Sequence, residues 1–127
     1  LTGSYRDRMK FRLAETYLLL AEAYLGQGDA FRDRAANAVN AVRQRANALP
    51  VNASNMDMDF LLDERIRELV GEESRRFTLV RTNTYVERVS TYNSAIRDRV
   101  KVDHALWPIP QSIRDANRDA EFPQNPG

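Results

Sequence analysis

Apolar residues recur at helical spacing along most of the chain, and the recurrence breaks where glycine, asparagine or proline takes over. From Met9 to Leu25 the positions Met9, Leu13, Ala14, Tyr17, Leu18, Leu20, Ala21, Tyr24 and Leu25 cover about half of a helical wheel. Arg8, Arg12, Glu15, Leu19 and Glu22 fill the remaining arc. So wide an apolar arc predicts a helix set between two neighbours, with an arginine-bearing stripe turned outward or into ion pairs. Gly26-Gln27-Gly28-Asp29 then combines a glycine suited to the left-handed residue after a helix with an aspartate suited to capping the next one. The expected result is a helical hairpin.

The second helix carries Phe31, Ala35, Ala38, Val39, Val42, Ala46 and Leu49 on one stripe, with Arg32, Asn37, Asn40, Arg43 and Gln44 away from it. Small alanines at that interface let two axes approach closely, as in tetratricopeptide pairs. A polar stretch, Pro50 to Asn55, interrupts the pattern before Asp57 or Asp59 can cap a third helix. Its expected core face is Met58, Leu61, Leu62, Ile66, Leu69 and Val70, with Asp63 and Arg67 as an i, i+4 pair. Gly71 argues against an unbroken helix, although Phe77 and Val80 resume the spacing, and a further short helix is expected from Tyr85 to Tyr92. Beyond Arg97, Trp107-Pro108-Ile109-Pro110 reads as extended chain because two prolines fix φ and exclude helix. A short helix is expected after Ser112, and Phe122 and Trp107 are the expected anchors of a prolyl tail. The fold class is therefore all-α: tetratricopeptide-like hairpins with an extended, proline-containing C-terminal tail.

A chain of 127 residues fits a single helical domain, 1–127. Residues 9 to 48 and 57 to 92 share no 34-residue self-similarity, and two helical pairs alone bury a continuous core poorly. That shortage leads us to expect further chain on the N-terminal side. Charge adds little: 19 basic residues against 18 acidic, interspersed, offer no single-sign field for nucleic acid or anionic lipid. The absence of cysteine excludes disulfides, thiolate metal sites and a cysteine nucleophile within these residues.

Candidate chemistry is sparse. Glu64, Glu68, Glu72 and Glu73 could suggest a general acid/base pair, but Arg65, Arg67, Arg75 and Arg76 make ion pairing the simpler fate. His104 is the sole histidine, Asp57, Asp59 and Asp63 lack the pattern of a calcium loop, and no serine sits in a nucleophile elbow. No enzyme activity, metal or other cofactor is expected. Trp107 beside Pro108 reads as a packed plug, which leaves Tyr85 and Tyr92, with more polar neighbours, as candidate surface aromatics for a ligand.

Five segments in order carry a resemblance: the helix from Leu13 to Tyr24; Leu61-Leu62-Asp63-Glu64-Arg65; Gly71-Glu72 with Arg75, Leu79 and Arg81; Leu106-Trp107-Pro108-Ile109-Pro110; and Gln124-Asn125-Pro126-Gly127. Their order and spacing resemble the C-terminal part of the SusD/RagB family. The residues matched to its motif are Glu15, Tyr17, Glu22, Glu64, Arg65, Glu68, Gly71, Arg75, Arg81, Trp107, Pro108, Pro110 and Asn125. The chain departs from the pattern at Glu73, Arg76 and Thr78, where Phe77 could take over aromatic packing, and at Ile113 and Arg114.

The resemblance implies part of a non-catalytic lipoprotein on the outer membrane surface, its lipid anchor upstream. Such a protein binds oligosaccharides or other nutrients and works with a TonB-dependent, SusC-like transporter. It implies too that the ligand is held mainly outside this segment, which supplies scaffold. The competing expectation is a tetratricopeptide-like module that binds a protein or peptide in a helical groove.

Overall fold

The computed structural model describes residues 11–126, which are helical with no strand among them. They divide into two compact units that meet in sequence between Glu73 and Ser74.

In the first unit, α1 (Leu13–Gly26) and α2 (Arg32–Arg45) form the expected hairpin. Ala14, Leu18 and Ala21 on α1, spaced four and three residues apart, pack with Ala35, Ala38, Val39 and Val42 of α2 in one buried cluster. Arg12 is extended, so α1 begins at Leu13, and the expected start at Met9 lies outside the described residues. At the turn Gly26 stays helical and Gly28 takes the positive φ, 105°. Asp29 opens a short 3-10 turn and accepts from Arg32 Nε at 2.9 Å instead of capping α2. The rings of Tyr24 and Phe31 stack beside it, 6.3 Å between centroids, with the Arg34 guanidinium over both.

The end of α2 corrects the expected stripe. Asn47 adopts a left-handed φ of 52°, and the amides of Asn47 and Ala48 return to the carbonyls of Gln44 and Arg43. That paired closure stops the helix. Ala46 and Leu49 therefore lie beyond it and are exposed, Leu49 by 83%. Asn40, expected on the solvent side, instead binds both backbone groups of Val51 at 2.8 and 2.9 Å and draws that loop onto the core.

Asp57 caps α3 (Met58–Glu68) by accepting from the Phe60 amide at 2.8 Å. Leu61, Leu62 and Leu69 are buried as expected, but Ile66 and Val70 are exposed and Glu64 and Arg65 take inward positions. The helix is rotated so that the ion-paired Glu64 and Arg65, rather than Ile66, turn inward, with Arg65 Nη1 buried without a hydrogen-bond partner. Gly71, at φ 77°, turns the chain away after α3.

The second unit holds α4 (Arg75–Arg81), α5 (Tyr85–Tyr92, as expected) and α6 (Gln111–Ala116), which starts directly after Pro110. Asn83 repeats the device of Asn47: φ is 57°, and the amides of Asn83 and Thr84 return to Val80 and Leu79. Thr78 and Leu79 are the buried residues of α4, whereas Phe77 is exposed and does not replace a core aromatic.

Candidate functional site

The carboxylates singled out in the sequence are committed to arginines within the first unit. Glu64 accepts from Arg43 and, at 2.7 Å, from Arg67. Glu68 accepts from Arg12 at 2.9 Å and Arg45 at 2.7 Å, and Glu72 from Arg12 Nε at 2.6 Å. Arg65 binds Glu73 through Nε and Nη2 at 2.7 and 2.6 Å, with Glu15 3.8 Å away. Bidentate and shared pairs of this kind hold α1, α2 and α3 together, and leave no carboxylate facing another across a cleft as acid/base work requires.

The Arg12 guanidinium is held above the ordinary arginine range, first by its hydrogen bond to Glu72 and then by that to Glu68. A cation whose pKa folding raises contributes stability at every pH below its unfolded value, and loses it only as pH climbs through the raised one. Arg12 therefore stays charged across the whole neutral range.

Of the other motif residues in this unit, Glu22 is half-buried and has an interaction partner, and Tyr17 lies along a groove of about 490 Å³ beside Leu13, Ala14, Ala41 and Val42. In the second unit Arg75 and Arg81 are the first and last residues of α4, and both have partners.

Tyr85 and Tyr92 differ in setting. Tyr92 is 70% exposed, with the Arg88 guanidinium 5.0 Å over its ring. Tyr85 is half-buried and lines a cleft of about 310 Å³ in the second unit. Arg76 lies against it, its guanidinium carbon 4.7 Å from the Tyr85 ring centre and 4.6 Å from that of Trp107. Nη1 of Arg76 donates to the Tyr85 hydroxyl at 2.8 Å, and Nη2 to the carbonyls of His104 and Leu106. Arg99 and His104 also line the cleft, and Ile96, Val100 and Leu106 form its apolar wall. Nδ1 of His104 accepts from the Lys101 amide at 3.1 Å, so in the neutral ring Nε2 carries the proton. Arg76 and Arg99 were missed as candidates because arginine is common in this chain. Arg76 nevertheless stands where the resembled family tends to place an aromatic.

Trp107 is not the expected plug. It is 61% exposed and is covered on one face by Arg76. Pro108 and Pro110 leave Ile109 the sole amide donor between them, and side-chain amides from the tail satisfy this stretch. Gln124 accepts from the Ile109 amide at 2.7 Å and donates to its carbonyl at 2.9 Å, while Asn125 donates to the Trp107 carbonyl at 2.8 Å. Arg114 Nε adds a bond to the Phe122 carbonyl at 3.0 Å. The tail is latched by amides, not by buried rings.

The family model described as SusD family matches residues 2–127. The chain is 37% identical over 113 residues to a curated protein called SusD-like protein P38, from Formosa agariphila. That match covers 78% of this chain and 20% of the relative, so the chain spans about a fifth of its length. No solved structure matches.

Proposed function

Because the chain belongs to the SusD/RagB family, we propose that the protein carrying it binds oligosaccharides or other nutrients at the outer membrane surface and passes them to a TonB-dependent, SusC-like transporter. The family match along nearly the whole chain is the observation that carries this reading. Binding and release are its only chemistry, and the stretch from Leu13 to Pro126 supplies scaffold. Two features support the scaffold role. Glu64, Arg65 and Glu68 are each spent on an ion-pair partner within the first unit, and Asn125 is spent on a backbone carbonyl. In this reading a lipid group attaches the protein to the membrane; no helix among the described residues is long and apolar enough to cross one.

Native electrophoresis of the intact protein through gels containing single polysaccharides tests this reading. Retardation by one polysaccharide, with no turnover of it, is the expected result. Unretarded migration through every gel, together with capture of a helical peptide in the groove beside Tyr17, would replace it with the tetratricopeptide-adaptor reading.

A further inference from the structure

We propose that the cleft of the second unit binds an anionic group, a carboxylate or sulfate ester, carried on a sugar ring. The anion follows from the cleft itself; the sugar rests on the function proposed above.

Charge is the first ground. In the first unit Arg12, Arg43, Arg45, Arg65 and Arg67 all meet carboxylates. In the cleft, the hydrogen bonds of Arg76 go to neutral oxygens alone: a hydroxyl and two carbonyls. Arg99 makes no ion pair among the described residues, and no aspartate or glutamate lines the cavity. Two positive charges thus share a concave surface without a counter-charge, and low-dielectric walls strengthen their field there.

Geometry is the second. Arg76 is pinned between Tyr85 and Trp107, so it supplies a fixed charge and loses no side-chain freedom on binding. Exposed Arg99 provides a guanidinium fork at the rim, a shape that matches carboxylate and sulfate oxygens. With Nδ1 of His104 already an acceptor, Nε2–H is its free donor. Ile96, Val100 and Leu106 present the apolar surface that a pyranose face needs. At about 310 Å³ the cleft is at the small end of ligand sites and suits one ring-sized group.

The test is calorimetric titration of the intact protein with D-glucuronate, glucose 6-sulfate, inorganic sulfate and D-glucose, repeated on Arg99→Gln. The expected result is saturable binding of at least one anion and none of glucose. Arg99→Gln should weaken that binding about tenfold, with its unfolding midpoint unchanged, because a charge-assisted hydrogen bond is lost from an exposed site. The preferred anion then distinguishes carboxylate from sulfate ester. Equal binding of glucose, unchanged affinity in Arg99→Gln, or no binding of either anion overturns the proposal. Retardation by a neutral polysaccharide that Arg99→Gln does not alter would leave the nutrient-binding reading standing while this one fails. Arg99-dependent binding of free sulfate without any sugar would keep the anion site and remove the sugar from it.

Discussion

Arg65 is the largest side chain sealed from solvent, only 1% exposed, and its charge is tolerated because Glu73 lies against it on two nitrogens. Removing one partner of a buried pair strands the other, so Glu73→Gln should lower unfolding free energy by about 3–5 kcal/mol in urea titration. Arg67→Ala, at a side chain 52% exposed, should cost below about 1 kcal/mol. Similar losses in both would show that burial does not govern the network. Gln124→Ala should speed hydrogen exchange at the Ile109 amide roughly tenfold, since an exposed backbone donor loses its acceptor. Ion pairing of Glu64 and Glu68 was legible from neighbouring arginines. Of their partners Arg67 alone was legible, because Arg12 meets Glu68 across 56 positions of sequence. Nor did a lone Gln124 announce that it would stand in for a strand partner.

Helix stops, more than helix starts, separate the expected elements from the observed ones. Periodicity located α1, α2, α3 and α5, and Asp57 was legible as a cap. The left-handed closures at Asn47 and Asn83 were passed over because asparagine signals many kinds of turn. Missing the first carried the α2 stripe on to Ala46 and Leu49. Asn83→Gly should keep stability within about 0.5 kcal/mol, whereas Asn83→Val should lose about 1–2 kcal/mol and some helical circular dichroism, because a β-branched residue resists positive φ. Equal tolerance of both would remove the closure from the account. Ile66 shows a different limit. The wheel favoured it as an apolar core position, yet Glu64 and Arg65 on the same helix found ion-pair partners in Arg43 and Glu73 and took the inside. A periodic pattern reads one helix and cannot weigh ion pairs supplied by its neighbours.

In each unit large apolar side chains stand exposed: Phe11 and Leu13 in the first and Val102 and Trp107 in the second are each more than half exposed. Phe11 and Leu13 adjoin along the groove beside Tyr17, and a contiguous apolar patch of that kind marks a place where something else packs. The 127-residue chain alone should therefore bind a hydrophobic dye and self-associate with concentration in sedimentation; a dye-silent monomer would show that these residues need no cover. Membership of the family was legible in the ordered segments from Leu13 to Gly127, whereas the cleft around Arg76 was not, since it joins residues from α4, α5 and the turn before Trp107. The proposed function makes this chain part of a surface nutrient-capture protein. Its most direct test is to purify the intact tagged protein from gently solubilised outer membranes and identify what comes with it. Recovery in that fraction with a TonB-dependent transporter as stoichiometric partner is the predicted result. Recovery from the cytoplasm, with no transporter and a helical peptide partner instead, would contradict it.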